Sequence, residues 1–181
     1  MRIVTGSLRG RRIVAPPNLP VRPTTDMAKE ALFNVLNNWI EFDELRVLDL
    51  FAGTGNISFE FVSRGVKEVV AVELNFKCVS FIKETVDRLG IGNMKVYRAD
   101  VLSFLQNPRQ SFDIIFADPP YDLEELNEIP DKVFKSNVLN PGGILILEHS
   151  KSNDFENHQF FYDKRNYGKV NFSFFSRDRG E

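Results

Sequence analysis

The sequence predicts an α/β fold: a doubly wound, mostly parallel seven-stranded sheet with helices on both faces, an antiparallel C-terminal hairpin and a small N-terminal extension. Three observations lead there. From Leu45 onward, short and nearly continuous apolar runs alternate with amphipathic stretches, the pattern of strands buried on both faces. A glycine-rich turn, Gly53-Thr54-Gly55, joins the first of these runs to the first following helix, where open α/β sheets bind ligands. The tail then loses the helical rhythm, as expected of strands added antiparallel at one edge.

Taken in order, the first 25 residues read as short extended pieces around Ile3 to Thr5 and Arg12 to Ala15. Gly6 and Gly10 separate them, and Pro16, Pro17, Pro20 and Pro23 close the segment,. It is too short and broken to hold a core alone. A helix begins near Thr25 or Asp26, either of which can cap it, with Ala28, Leu32, Val35, Leu36 and Trp39 at helical spacing,. The predicted parallel strands are Val47 to Phe51, Glu68 to Val72, Met94 to Tyr97, Phe112 to Ala117 and Gly143 to Leu147. Helices are expected to begin near Gly55, Phe76, Val101 and Leu123. The second of these shows the clearest stripe, Val79, Ile82, Val86 and Leu89. Gln159 to Tyr162 and Val170 to Phe175 complete the sheet as a hairpin turning around Asn166 to Gly168,.

Composition removes several function classes. With 181 residues the chain predicts one domain,. No apolar run approaches the ~20 residues of a membrane span, and the N-terminus lacks a signal-peptide core, so a cytoplasmic location is the default expectation. One cysteine, Cys78, and two histidines, His149 and His158, supply too few soft ligands for a structural zinc site,. No metal is expected, and Cys78, among apolar neighbours on its helix, reads as packing. The net charge of −2 conceals an asymmetry: residues 1 to 30 carry six basic and two acidic side chains, leaving 17 basic and 23 acidic in the rest. A polyanionic partner would meet this basic arm first, although a short basic segment can equally be a solvated end.

The crevice at the glycine turn is acidic. Asp49, Glu73, Asp100 and Asp118 all fall at the carboxyl ends of predicted strands, and the strand-end turns read as free of lysine and arginine. A dinucleotide would place its pyrophosphate among these carboxylates. The third glycine of the dinucleotide fingerprint is replaced by Ser58, and no GxxxxGK[ST] is present,. S-adenosylmethionine carries a sulfonium and an ammonium and no phosphate, and so suits such a crevice. Asp49 is expected to face its cationic methionine end, Glu73 to accept both ribose hydroxyls and Asp100 to receive the adenine amino group. Phe51, Ala52, Gly53, Thr54, Gly55 and Val101 complete the expected cofactor lining. Residues 1–40 form the basic arm and capping helix, and 41–181 the S-adenosylmethionine-binding domain.

The fourth predicted strand ends in Asp118-Pro119-Pro120-Tyr121. In the usual strand order it adjoins the first strand, so this tetrapeptide overhangs the crevice. Methyl transfer to an exocyclic amine needs acceptors for the amino protons, because the nitrogen lone pair is delocalised into the ring. The Asp118 carboxylate and the Pro119 carbonyl can serve, Pro119 and Pro120 stiffen the loop, and the Tyr121 ring can stack on a flipped base.

Together the Asp49 to Gly55 loop, Glu73, Asp100 and the Asp-Pro-Pro-Tyr segment resemble the class I, Rossmann-like S-adenosylmethionine-dependent amino-methyltransferases. The arm narrows this: Gly6-Ser7-Leu8-Arg9-Gly10-Arg11, Arg22-Pro23-Thr24-Thr25-Asp26 and Glu30-Ala31-Leu32-Phe33-Asn34 are similar to the RsmD family. The resemblance spans Ile3 to about Phe174. It implies transfer of a methyl group to N2 of a guanine in small-subunit (16S) rRNA, Asp118 to Tyr121 as the catalytic loop, and Arg22 to Asp26 as a cap over the site. Arg9, Arg11, Arg12, Arg22, Thr24 and Thr25 become the expected substrate contacts, in a monomer acting on small-subunit rRNA or the assembling small subunit. An amino-methyltransferase for another RNA, DNA, a protein or a small molecule, and a non-catalytic RNA-binding module, remain as alternatives. The phenylalanines from Phe155 to Phe175 read as sheet packing rather than a base-stacking platform, and His149 as a satisfied polar residue at a strand end.

Overall fold

A computed structural model of the chain describes residues 1–19 and 25–178. Helix α1 (Asp26–Trp39) precedes an alternation of β1 (Arg46–Leu50), α2 (Asn56–Ser63), β2 (Glu68–Glu73), α3 (Phe76–Leu89), β3 (Met94–Arg98), α4 (Val101–Gln106) and β4 (Phe112–Ala117). Then follow α5 (Ile129–Lys135), β5 (Leu139–His149) and the hairpin β6 (Phe161–Tyr167) and β7 (Val170–Phe175). The sheet has seven strands in the order β3-β2-β1-β4-β5-β7-β6. Strands β1 to β5 pair in parallel, and β7 joins β5 and β6 antiparallel. The order reverses between β1 and β4, which opens the crevice at the carboxyl ends of these two strands. Among the described residues, no helix is long and apolar enough to cross a membrane.

Each face of the sheet carries its own core. On one, Ala28, Leu32, Phe33 and Leu36 of α1 meet Phe59 and Phe61 of α2, Phe81 and Ile82 of α3, and Val47, Ile114, Phe116, Ile146, Phe172 and Phe174 of the sheet. On the other, Val101 and Leu105 of α4 and Val133 and Phe134 of α5 cover Leu48, Leu50, Ile115, Leu145, Leu147 and Phe175. Cys78 is buried in α3, and burial pushes its thiol up to about 11. The tail phenylalanines Phe155, Phe172, Phe174 and Phe175 are buried packing, and Phe160 and Phe161 lie half-buried against the same core, with Tyr162 exposed.

Several elements differ from the sequence expectation for identifiable reasons. The helix expected from Leu123 starts six residues later. A turn from the Pro120 carbonyl to the Leu123 amide (3.0 Å) and a 3-10 turn at Leu126–Glu128 intervene. Pro130 falls in the first turn of α5, where its missing N–H is harmless; a helix begun at Leu123 would carry it in the interior. Strand β5 extends to Leu139 because Pro141 and Gly142 sit in a bulge. Pairing with β4 jumps there from Phe112↔Leu139 to Ile114↔Ile144, with Gly142 at φ +73°,. Strand β6 runs on through Asp163, Lys164, Arg165 and Asn166, a polar stretch that an edge strand accommodates. The hairpin therefore turns at Gly168-Lys169.

The N-terminal arm is docked rather than trailing. Residues Arg2 and Arg12 form an antiparallel bridge, and Ile3 and Ile13 are buried in the α1 face. Glu60 of α2 accepts the amides of Val4 (2.9 Å) and Thr5 (3.1 Å), while Ser63 Oγ accepts that of Leu8 (2.9 Å). Gly6, at φ +87°, passes so close that a Cβ would lie 1.7 Å from the Ser63 carbonyl oxygen. Beneath the arm, Lys29 is 1% exposed. Its Nζ donates to the Arg2 carbonyl (2.5 Å) and Asn56 Oδ1 (2.9 Å), and it lies 3.6 Å from Glu60 Oε2. Burial pulls the Lys29 pKa below the usual lysine range, and the charge of Glu60 opposes that shift.

Candidate functional site

The glycine loop leaves β1 through three left-handed residues, Phe51 (φ +63°), Gly53 (+55°) and Gly55 (+76°). Phe51 is therefore not the last strand residue expected from sequence; it is the first residue of the turn. An aromatic residue in this region carries backbone strain, which the surrounding bonds must hold. They do so from both sides. The Ala52 amide donates to the Val72 carbonyl (3.0 Å), and the Gly55 amide to that of Ala52 (2.7 Å). Gly55 also packs tightly, since a Cβ there would meet Phe59 at 2.9 Å and Ile82 at 3.3 Å.

Glu73 ends β2 and organises the neighbouring loops. Oε2 accepts the Gly53 amide and Oε1 the Asn75 amide, both at 2.8 Å. Each oxygen retains a second lone pair for a ligand hydroxyl. Leu74, missed at the sequence level, is 59% exposed beside it, and Phe76 is exposed as well. Two large apolar side chains on a strand-end loop were the available signal, as they offer a flat surface to an aromatic ring. Asp100 accepts the Ser103 amide at 2.8 Å as the N-cap of α4, whose first residue, Val101, is buried. Its carboxylate is exposed, so the capping role and a ligand role use different lone pairs.

Two crevice expectations are revised. Asp49 does not face solvent: it is 1% exposed, and accepts the Ser58 hydroxyl at 2.5 Å from the first turns of α2. Burial pushes its pKa up to about 7; the Ser58 bond opposes this, and the Glu73 charge adds to it. Its position below the loop follows from strand alternation, since Leu48 and Leu50 point to the other face,. The crevice rim also holds a basic group. Strand β3 runs to Arg98, whose Nε donates to the Leu74 carbonyl (3.3 Å) and whose guanidinium lies 5.7 Å from the Phe76 ring centroid.

Asp118 to Tyr121 hangs from the end of β4, next to β1. The Asp118 amide reaches the Leu50 carbonyl (3.3 Å), one residue before the glycine loop begins. Pro119 is buried and Pro120 exposed, and the bond from the Leu123 amide to the Pro120 carbonyl makes a turn of Pro120 to Leu123. The Tyr121 ring is 42% exposed. Thr54, in the glycine loop, also lines a cavity of about 620 Å³ with Arg2, Arg12, Pro16, Pro17 and Asp26. The cavity therefore links the crevice to the arm.

Of the expected substrate contacts, Arg9, Arg11 and Arg12 are exposed on the outer ply of the arm. Thr25 caps α1, accepting the Ala28 amide at 3.2 Å. Arg22 and Thr24 lie outside the described residues. His149 is fully buried and bonded on both ring nitrogens at 2.8 Å, to the Ser150 carbonyl and Ser173 Oγ. Burial depresses its pKa, so it serves as a structural polar residue rather than a proton carrier. The donor set fits S-adenosylmethionine: Glu73 and Asp100 offer carboxylates to hydroxyl and amino groups, and Leu74 and Phe76 an exposed apolar surface.

Comparison with known proteins agrees with this geometry. The family described as Conserved hypothetical protein 95 matches residues 1–176. Ribosomal RNA small subunit methyltransferase D of Haemophilus influenzae is 32% identical over 83% of this chain and 79% of its own. The protein of the same name from Buchnera aphidicola (subsp. Baizongia pistaciae) is 31% identical over 84% and 77%. Among solved structures, the candidate methyltransferase yhhF of Escherichia coli superposes with a TM-score of 0.86 at 26% identity, covering 99% of both chains. A ribosomal protein L11 methylase from Lactobacillus delbrueckii shares the fold at a TM-score of 0.71 and 19% identity, covering 90% of this chain and 83% of the other. The chain therefore belongs to the Conserved hypothetical protein 95 family, which is the RsmD family of class I methyltransferases.

Proposed function

We propose that this protein methylates the exocyclic N2 of a guanine in 16S small-subunit rRNA, using S-adenosylmethionine. The observation that carries the reading is the junction of the Asp118-Pro119-Pro120-Tyr121 turn with the glycine loop, through the Asp118 amide and the Leu50 carbonyl. Catalytic acceptors and cofactor loop thereby share one sheet edge at the switch point. The names of the relatives and the exposed Arg9, Arg11 and Arg12 support an RNA substrate.

When bound, the cofactor supplies an electrophilic sulfonium methyl group. Glu73, Asp100 and the Gly53 to Gly55 backbone would hold it, and Leu74 would offer an apolar surface to its adenine. Asp49 acts from below as a buried negative centre whose ionisation a nearby ligand cation favours. The Asp118 carboxylate and Pro119 carbonyl accept the two amino protons of the target base. The nitrogen lone pair is thus drawn out of conjugation as positive charge develops. Tyr121 stacks on the flipped base and fixes its plane. After transfer, the surplus proton leaves to Asp118 or water.

The test is nucleoside mass spectrometry of unmodified small-subunit particles and naked 16S rRNA, each incubated with purified protein and isotope-labelled S-adenosylmethionine. Labelled N2-methylguanosine is expected, and label in another nucleoside or in protein would overturn the reading. Asp118→Ala should slow transfer at least tenfold, as loss of a charge-assisted hydrogen bond of about 1.5–3 kcal/mol implies, with cofactor affinity kept. An equal loss of cofactor affinity would remove Asp118 from the catalytic role.

A further inference from the structure

We propose that Lys151 and Lys169 form a second RNA contact, holding phosphates beside the target nucleotide on the side of the catalytic turn away from the arm. The proposal rests on the rRNA reading above and extends the contact surface to the C-terminal hairpin.

Sheet order places the two lysines. The strands that meet along the active-site edge are β1, β4, β5 and β7, in that order, and β6 ends at the same edge where the hairpin turns. The glycine loop leaves β1 there, and its Thr54 shares a cavity with Arg2 and Arg12 of the arm. The Asp118 to Tyr121 segment leaves β4 next. Beyond it, β5 ends at His149, two residues before Lys151, and His149 pairs with Asn171, two residues after Lys169. The β4 and β7 backbones are two strand spacings apart, roughly 10 Å. An RNA strand lying along this edge, with its target base at Asp118, would bring neighbouring phosphates over both lysines.

Both project from turns that are held in place. Tyr167 pairs with Val170, which leaves a two-residue turn, Gly168-Lys169, with Gly168 at φ +67°,. Asn166 Nδ2 donates to Asn171 Oδ1 (2.6 Å), and the Tyr167 ring lies 6.1 Å from that of Phe172. In the turn after β5, the Asn153 amide donates to the Ser150 carbonyl (3.3 Å), and Asn153 Nδ2 to Asn127 Oδ1 (3.0 Å). A backbone already fixed has less freedom to lose when its side chain meets a partner.

Their charges are also uncommitted. Nearby, Glu156 takes up Lys164 and Asp163 takes up Arg165. Lys151 and Lys169 are exposed, and among the described residues neither side chain has an ion-pair or hydrogen-bond partner. An isolated surface lysine is ordinarily only solvated. These two differ in standing together at the edge that carries Asp118, on a body whose charge is otherwise acidic overall. An ammonium is a compact charge that suits the phosphate backbone and carries no base preference.

The test is filter binding of naked 16S rRNA to wild type and to Lys151→Ala/Lys169→Ala across a salt series. Affinity at low salt should fall at least tenfold. The slope of log affinity against log salt should become shallower by about 1.4–1.8, as loss of two phosphate contacts implies. Affinity for S-adenosylhomocysteine should stay within twofold of wild type, which a loss of structure would not allow. Lys151→Arg/Lys169→Arg keeps both charges and should restore the wild-type slope. Lys83→Ala/Lys135→Ala removes the same charge from exposed positions on α3 and at the end of α5, and should also keep that slope. An unaltered slope in the Lys151/Lys169 alanine variant, or an equal change in the Lys83/Lys135 control, would overturn the proposal. Failure of the guanine reading shows separately, as absence of labelled N2-methylguanosine with wild-type enzyme, and leaves the binding comparison in force.

Discussion

Asp49 makes the protein's stability depend on pH in a direction opposite to that of most carboxylates. Its pKa rises from the ordinary 3.8 to about 7, chiefly through burial, with the Ser58 hydroxyl as its hydrogen-bond donor. In the unfolded chain the group ionises near 3.8, so between that pH and about 7 the folded state holds one proton more,. Stability attributable to Asp49 is thus complete below the unfolded pKa. It falls as pH rises through this window, by up to roughly 1.4 kcal/mol per pH unit and about 4 kcal/mol in all. Asp49→Asn keeps the shape and an acceptor for Ser58 while removing the titration. Urea unfolding at pH 4.5 should find the two proteins close, and at pH 8 the variant more stable by a few kcal/mol. Parallel stability curves for wild type and variant across this range would refute the argument, by showing that Asp49 stays ionised in the folded protein.

Glu73→Gln exchanges one acceptor oxygen for a donor, so it should release either the Gly53 or the Asn75 amide. Cofactor affinity should fall at least tenfold by calorimetry, and an unchanged affinity would remove Glu73 from the cofactor site. Replacing Arg9, Arg11 and Arg12 by alanine should weaken RNA binding and reduce the slope of log affinity against log salt by up to about three. An unaltered slope would make the arm a solvated end. Gly6→Ala puts a Cβ into the Ser63 carbonyl and should detach the arm. Trypsin would then cut at Arg9 to Arg12 at least tenfold faster than in wild type, and equal cleavage rates would show that the arm is not held by this contact.

Much of the crevice was readable because it is written locally. Gly53 and Gly55 stand where a strand becomes a helix, Glu73 ends an apolar run, and Asp118-Pro119-Pro120-Tyr121 ends another. Boundaries failed where a local signal has two physical outcomes. Pro141 and Gly142 fall outside the expected strand, Gly143 to Leu147, but form a bulge within β5, since β4 pairs on either side of them, at Leu139 and at Ile144. Arg98 contradicts the reading of the strand-end turns as free of basic residues, because β3 runs one residue past Tyr97 and carries it to the crevice rim.

By itself the sequence determined the alternation of strands and helices, the place of the crevice and the residue types that line it. These depend on periodicity and on neighbours a few positions away. Tertiary structure alone decided what those residues experience. Asp49 is held near neutrality by burial under its own loop, and Lys29 meets Asn56 across 27 positions and Glu60 across 31. Desolvation and long-range pairing are properties of the packed chain, so no local pattern encodes them.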